Sequence, residues 1–146
     1  IHTARNGYAL DTFQIASEQL QMHYRELTTL IENGLPQAIL SKEPLPEPGK
    51  RRLSRRVRSF PMVPRVTLTP DDKAQNWLLN ISASDRAGLL YSVARILAAH
   101  GLSVQLAKVS TLGERVEDSF LVQGPRLNSN AQQLLIETQL VQMLQE

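Results

Sequence analysis

The chain has 146 residues, of which 42% are hydrophobic and 21% charged, values typical of a folded globular protein with one or two small domains. Its net charge of +2 is too small to indicate a polyanionic partner, and without cysteine it forms neither disulfides nor thiolate metal sites. No signal peptide is recognisable and no apolar run approaches the roughly 18 residues that span a membrane, so a cytoplasmic protein without a membrane partner is predicted. Because the chain opens at Ile1 in strand-like sequence, it is predicted to be a fragment of a longer protein.

The N-terminal residues are predicted to form a β-hairpin. β-Favouring residues at Ile1–Thr3 and Ala9–Ile15 flank the turn Arg5-Asn6-Gly7. Asn-Gly is a strong hairpin signal because both residues tolerate positive φ angles. Two short antiparallel strands are therefore expected here.

A helix is predicted to follow this hairpin. From Ser17 onward the apolar residues recur at spacings of three and four, so that they share one helix face. Ser17 is suited to cap the start, and Gly34 followed by Leu35-Pro36 marks the end. A short second helical piece is predicted at Gln37–Ser41.

Residues 42–64 differ in composition from their surroundings and are predicted to be a linker. Three prolines alternate with other residues between positions 44 and 48, which favours extended and unpaired backbone. A basic run then follows from Lys50 to Arg58. Such runs are usually solvated, and weak, sequence-independent binding of nucleic acid through this run is kept as an alternative function.

Two strands and a helix are predicted at the start of the second unit. The strands are Arg65–Thr69 and Trp77–Ala83, separated by a turn. The helix is predicted over about Arg86–His100, with Asp85 as its N-cap and Gly101 as a left-handed stop.

The C-terminal residues complete an α+β sandwich. Alternating residues predict strands at Leu102–Val109 and Arg115–Gln123. A last helix is predicted from Asn128 or Ser129 to about Gln145. This order of strands and helices is usual for four antiparallel strands with two helices on one face, which is the fold predicted for the unit.

An internal repeat indicates two copies of one unit. Ile1-His2-Thr3 and Asp11-Thr12-Phe13-Gln14-Ile15 resemble Val109-Ser110-Thr111 and Asp118-Ser119-Phe120-Leu121-Val122. An amphipathic helix follows each pair. The N-terminal unit is therefore predicted to be the back half of a copy whose front half is missing.

No residues with the spacing of a catalytic or metal site are recognisable. The histidines His2, His23 and His100 are dispersed. No nucleophile is paired with a general base, and Trp77 at a strand start is predicted to be a core or dimer contact. The chain is therefore predicted to hold no catalytic residue, metal ligand or cofactor, and not to be an enzyme on its own.

Three motifs of the second unit belong together: Asp85-Arg86-Ala87-Gly88-Leu89-Leu90, His100-Gly101-Leu102-Ser103-Val104 and Thr111-Leu112-Gly113-Glu114-Arg115-Val116-Glu117-Asp118-Ser119-Phe120. In this combination they resemble the ACT domain family. The resemblance implies a ferredoxin-like α+β ACT domain at residues 65–146, with a four-stranded antiparallel sheet and two helices on one face. Position 87 is Ala, where ACT domains usually carry Pro, so the turn loses one fixed φ angle.

A narrower resemblance is carried by the Gly-Glu-Arg-Val-Glu-Asp run at residues 113–118, the basic connector and Ile1–Phe13, and it covers nearly the whole chain. These segments are similar to the C-terminal tandem ACT region of the bacterial bifunctional PII uridylyltransferase/uridylyl-removing enzymes. It implies the C-terminal half of a first ACT repeat at residues 1–41 and a linker at 42–64, both ahead of the second ACT domain.

The turn before the second unit's first helix is the predicted ligand site, formed by Asp85, Arg86, Ala87, Gly88 and Leu89. A helix N-terminus offers unpaired N–H groups and a partial positive charge, which suit the carboxylate of a free amino acid. Gly88 has no side chain and allows close approach, and Asp85 can accept a hydrogen bond from a ligand ammonium group. Each has a plain structural alternative: Asp85 as an N-cap, Gly88 as a point of tight packing and Arg86 as a solvated residue.

The resemblance implies a regulatory function. It implies that the segment senses glutamine, or another small amino acid, and shifts the parent enzyme between adding UMP to PII protein and removing it. The implied partners are PII, through the parent enzyme, and a second ACT domain or a second copy of the chain, whereas nucleic acid is not expected. Mg²⁺ and UTP are implied for catalytic domains upstream. The alternative function is an ACT module that contacts protein without binding a ligand.

Overall fold

The computed structural model describes residues 2–3, 8–10, 12, 23–41, 46, 62–72 and 75–145. The chain divides into two compact units, one formed by Ile1–Asp11 with Glu47–Glu146 and the other by Thr12–Pro46. Most of the predicted linker, the turn at Arg5-Asn6-Gly7 and the helix start at Ser17 lie outside the described residues. The predicted domain division at 42–64 therefore stays a prediction.

Within the described residues, the larger unit contains a seven-stranded sheet in which every pairing is antiparallel. In chain order its strands are β1 (His2–Thr3), β2 (Ala9–Leu10), β3 (Arg65–Pro70), β4 (Trp77–Ser84), β5 (Ser103–Lys108), β6 (Thr111–Leu112) and β7 (Arg115–Gln123). Across the sheet the order is β2-β1-β5-β7-β4-β3, and β6 pairs with β7 beside this path.

The described helices have the number and position that the predicted α+β fold requires in the larger unit. They are α1 (Tyr24–Leu40) in the smaller unit, and α2 (Leu89–Ala99) and α3 (Asn130–Gln145) in the larger one, where a 3-10 helix at Pro125–Asn128 precedes α3. The strands β5-β7-β4-β3 carry α2 and α3 on one face, because the side chains that both helices cover alternate along the strands. This arrangement confirms the α+β ferredoxin-like fold.

The hydrophobic core lies between this sheet face and helices α2 and α3. Every second residue of β4 and β7 is buried, because successive strand side chains point to opposite faces. The buried apolar side chains are Leu68, Leu79, Ile81, Ala83, Leu89, Val93, Leu97, Leu102, Val116, Phe120, Val122, Leu127, Ile136 and Leu140. Trp77 is partly buried and packs against this cluster, so it is a core contact, one of the two roles predicted for it.

Helix α2 ends where the sequence predicts. Gly101 has a φ of 67°, and the N–H of Leu102 donates to the carbonyl of Leu97 at 2.9 Å. Apart from Gly101 and its two neighbours in the chain, no atom of the described residues lies within 4 Å of the place where a Cβ on Gly101 would stand. The left-handed backbone, and not crowding, is therefore what requires glycine at this position.

His100, directly before Gly101, is buried and ties α2 to two other elements. Its Nδ1 lies 3.2 Å from Nη1 of Arg126, and its Nε2 lies 2.7 Å from Oε1 of Gln139. Because a guanidinium can only donate, Nδ1 accepts and Nε2–H donates. The end of α2 is thus held to the 3-10 helix and to α3 through one imidazole ring.

Helix α3 turns only some of its apolar residues towards the core. Ile136 and Leu140 are buried, whereas Leu134 is 64% exposed. Residues four apart share a helix face, but two residues correspond to a rotation of about 200°. Leu134 therefore lies on the opposite side of the helix from Ile136.

The N-terminal hairpin extends the sheet at the β5 edge. Strand β1 pairs antiparallel with β5 through His2 and Leu106, and β2 pairs with β1. Of the second predicted strand, Ala9–Ile15, the structure shows Ala9–Leu10 as β2 and Thr12 outside any strand, while residues 11 and 13–15 lie outside the described residues. The pairing of β1 with β2 confirms the predicted hairpin over the residues that are described.

The two hairpins of the larger unit share one register. In β1–β2, Thr3 pairs with Ala9, and in β6–β7, Thr111 pairs with Val116. The internal repeat aligns Thr3 with Thr111, and both Ala9 and Val116 stand two residues before the aspartate of their repeat. The pairing of the strands therefore supports the repeat that the sequence indicates.

Helix α1 of the smaller unit begins later than predicted. His23 has extended backbone and is the N-cap, and its Nδ1 accepts from the N–H of Arg25 at 3.4 Å. Helical residues start at Tyr24, so the predicted continuous run from Ser17 is interrupted at His23.

Helix α1 also continues past its predicted end. It runs through Gly34 and Pro36 to Leu40, so the predicted stop at Gly34 and the separate piece at Gln37–Ser41 are wrong. Pro36 removes one backbone hydrogen bond, at the carbonyl of Glu32. Both residues are exposed, so water can satisfy that carbonyl and the helix persists.

Candidate functional site

The turn between β4 and α2 contains the five predicted site residues. Gly88 has a φ of 79° and is the N-cap of α2, which begins at Leu89. Glycine adopts this left-handed conformation without steric cost. Glycine has no side chain to cap the helix, so no N-cap side chain competes with an external acceptor at this helix N-terminus.

Asp85 is not the N-cap, and the prediction that it caps the helix is wrong. Its side chain is exposed, and its backbone N–H donates to the carbonyl of Glu114 at 2.7 Å. The positive φ of Gly88 delays the helix start, which takes the Asp85 carboxylate away from the first-turn N–H groups. The turn is thereby joined to the β6–β7 hairpin through its backbone.

Arg86 is half-buried and contacts the end of α3. Its guanidinium donates to the backbone carbonyl of Met143 and lies 3.1 Å from the Met143 sulfur. The last carbonyls of a helix have no partner within the helix, and a positive charge near them is favourable. Arg86 is therefore not a solvated residue, since it ties the turn to the C-terminal end of α3.

The remaining site residues divide between surface and core. Ala87 and Gly88 are exposed, whereas the side chain of Leu89 is only 4% exposed and belongs to the core. The side chain of Leu89 is therefore closed to a ligand, and its backbone N–H donates to the carbonyl of Arg86 at 3.3 Å. The surface of the turn consists of Asp85, Ala87 and Gly88.

Asp118 is a buried acid that sequence reasoning did not assign to the site. It is 2% exposed, and its Oδ1 accepts from the N–H of Ser110 at 3.1 Å. Burial raises the pKa of its carboxyl, the hydrogen bond from Ser110 opposes this, and the negative charges of Asp85 and Glu117 raise the pKa further. Because Asp85 acts on it electrostatically, Asp118 is part of the surroundings of the turn.

The alternation of β7 contained a signal for this acid. Val116, Phe120 and Val122 are buried on one face of the strand, and Asp118 falls on the same face. A carboxyl group at an apolar position is unfavourable unless it is hydrogen-bonded. A lone acid in such a pattern is therefore a candidate for a specific role.

The βαββα topology and the turn before its first helix agree with a known protein family. Residues 77–137 match the family described as ACT domain, a range that runs from the first residue of β4 into α3. Residues 77–137 are an ACT domain. The predicted turn and Asp118 both lie within it.

The chain that carries this ACT domain is similar to one enzyme along 99% of its length. It is 52% identical to the bifunctional uridylyltransferase/uridylyl-removing enzyme of Cupriavidus metallidurans, 50% identical to that of Ralstonia nicotianae and 45% identical to that of Burkholderia thailandensis. It spans 17% of the length of each of these relatives. No solved structure matches the chain. The resemblance that its motifs predict is confirmed.

The ACT domain offers no metal centre in its described residues. Across the described ranges, no three or more His, Asp or Glu side chains form a group that could hold a metal ion. None of the helices described above is both long and apolar enough to cross a membrane.

Replacing Asp118 with Asn in the ACT domain is expected to raise the melting temperature at pH 7. The pKa of the Asp118 carboxyl is raised in the folded chain, chiefly by burial, so the folded chain binds this proton more readily than the unfolded chain. Ionisation of Asp118 therefore lowers the free energy of unfolding. This loss is complete above the pKa that the carboxyl has in the folded chain, and it disappears as the pH falls towards the pKa that the carboxyl has in the unfolded chain. Asn stays neutral, and its Oδ1 can still accept from Ser110.

Calorimetric melting of both chains from neutral to acidic pH measures this effect. The stabilisation of the Asp118→Asn chain should shrink as the pH falls, while Asp72→Asn, in an exposed turn, should leave the curve unchanged. An Asp118→Asn chain that melts below the parent at pH 7 would contradict the expectation.

Proposed function

We propose that this chain is the regulatory, amino-acid-sensing part of a bifunctional uridylyltransferase/uridylyl-removing enzyme. The observation that carries the proposal is an ACT domain within a chain that is 45% to 52% identical to that enzyme along 99% of its length. Since the chain spans only 17% of the relatives' length, we assign the two reactions to domains outside it. The chain itself is proposed to regulate and not to catalyse.

Glutamine is the ligand that we assign to the turn at residues 85–89. A free amino acid carries a carboxylate and an ammonium group, and the turn offers a partner of opposite charge to each. The uncapped N-terminus of α2 at Gly88 supports binding of the carboxylate. The exposed carboxylate of Asp85 supports binding of the ammonium group. The resemblance to an enzyme that modifies a nitrogen-regulatory protein favours glutamine among the amino acids.

Pairing of two ACT repeats within the chain is the assembly that we propose. Strands β1 and β5 pair antiparallel, and the β1–β2 hairpin has the register of the β6–β7 hairpin. Through the repeat, β1 corresponds to β6, which directly follows β5 in the chain. Equivalent edges of two repeats would therefore meet in one continuous sheet, as in a two-fold interface. A homodimer, in which a second copy supplies the edge, is the alternative assembly.

The rest of the proposal concerns the longer enzyme. Its partner is proposed to be PII protein, and its proposed cofactors, Mg²⁺ and UTP, belong to catalytic domains beyond this chain. Glutamine at the ACT domain would shift the enzyme from adding UMP to PII towards removing it. The resemblance also favours a cytoplasmic location.

Isothermal titration calorimetry of the 146-residue chain tests the sensing function. Glutamine is expected to bind at one site per ACT domain. Glutamate, asparagine and alanine are expected to bind more weakly, because they change the charge or length of the side chain. A folded chain, verified by circular dichroism, that releases no heat with any of them at two temperatures would contradict amino-acid sensing. The chain would then be a structural or protein-contact module.

A further inference from the structure

The four-stranded sheet β5-β7-β4-β3 has two edge strands, and only one of them is covered by another strand. The edge strand β5 pairs with β1. The edge strand β3 pairs with β4 on one side, and no strand of the described residues lies on its outer side. An uncovered edge strand presents a row of backbone groups that can pair with another chain.

The outer side of β3 is blocked by a side chain of α3. The N–H of Leu68 donates to Oε1 of Glu137 at 2.8 Å, across 69 residues of sequence. This N–H bonds to a helix side chain and not to β4, so it lies on the free side of the strand. A carboxylate is a strong acceptor for a backbone N–H, which makes this contact hard for a visiting strand to displace.

The alternation of the strand leaves few other donors on this side. Backbone groups of alternate residues point the same way in an antiparallel strand, so Val66 and Pro70 share the outer side with Leu68. Pro70 has no N–H to donate. Of the three outward positions, one is bonded to Glu137, one lacks a donor, and only Val66 retains an N–H for a new strand.

We propose that Glu137 closes the β3 edge of the ACT sheet, so that the sheet takes up further strands only from the β5 side. The occupant that Glu137 excludes is the β3 strand of a second copy, which would pair antiparallel across a two-fold axis. Strands β1 and β2 already occupy the β5 side within the chain, so an open β3 edge would let two copies pair once across a two-fold axis, and the closed edge prevents that pairing. This inference is independent of whether the turn binds glutamine.

Two substitutions at one position separate the hydrogen bond from the rest of the side chain. Glu137→Ala removes the acceptor, and Glu137→Gln keeps an amide oxygen that can still accept from Leu68. In sedimentation velocity from micromolar to near-millimolar chain, the Ala variant is expected to reach roughly twice the parent's weight-average mass, as symmetric pairing requires. The Gln variant should sediment like the parent.

Hydrogen exchange at the Leu68 amide shows whether the contact itself was lost. It is expected to accelerate in the Ala variant at low concentration, and to slow again as the chains associate. A folded Ala variant with a fast Leu68 amide and the parent's mass at every concentration would overturn the proposal, as would association of the Gln variant. Should the Ala variant not fold, Glu137→Met, which keeps a long helix-favouring side chain without a comparable acceptor, decides between the same outcomes.

Discussion

Replacing Leu140 with Ala is expected to lower the free energy of unfolding by about 2–5 kcal/mol, the range found when a well-packed core site is emptied. Leu140 is 0% exposed and belongs to the cluster that joins α3 to the sheet. The substitution removes buried apolar surface and leaves a cavity that the surrounding side chains can only partly fill. Urea unfolding followed by circular dichroism measures the change.

The control for this substitution is the same change on the other side of the same helix. Leu134 is 64% exposed, so Leu134→Ala removes little buried surface and keeps a strong helix former. Its effect is expected to stay within about 0.5 kcal/mol of the parent chain. Equal losses in the two variants would show that α3 does not turn the face of Leu140 to the core.

Replacing Gly88 with Ala is expected to weaken glutamine binding by about tenfold or more, which corresponds to roughly 1.4 kcal/mol. Gly88 has a φ of 79°, so a Cβ there strains the backbone, and the added methyl group stands at the uncapped end of α2. The two effects disturb the place where we assign the ligand carboxylate. Calorimetric titration of the variant with glutamine measures the loss.

Gly101→Ala separates backbone strain from the loss of a ligand site. Gly101 has a similar φ of 67° but lies at the other end of α2, whose 11 residues span about 16 Å. Both substitutions should cost about 1–2 kcal/mol of stability, but only Gly88→Ala should weaken glutamine binding. Equal glutamine affinity in the two variants would show that the turn is not the site.

Patterns within one segment predicted most of the larger unit. The alternation in β4 and β7 and the glycine stop at Gly101 are carried by neighbouring residues, and the structure confirms all three. Such patterns are reliable because the period of a strand or a helix determines which side chains share a face. The order of these elements then leaves few ways to bury their apolar faces together.

Prediction failed where two local signals competed. Gly34 and Pro36 are strong stop signals, yet α1 passes through both, because the lost hydrogen bond at an exposed helix surface can be replaced by water. Asp85 is a good N-cap by residue type, but the left-handed Gly88 moves the helix start beyond its reach. In both segments the preference of each residue type was read correctly. The sequence did not show which of two competing preferences would prevail.

The amino-acid sequence by itself determined the α+β class, the ACT motifs and the position of the turn at residues 85–89, because each depends on residues close together in the chain. The tertiary structure alone decided which groups those residues meet. Arg86 reaches a helix end 57 residues away, and Glu137 reaches the edge of β3. The physical reason is that a charged side chain bonds to the best donor or acceptor that folding brings within hydrogen-bond distance. The number of residues between two groups in the sequence does not show whether folding brings them that close.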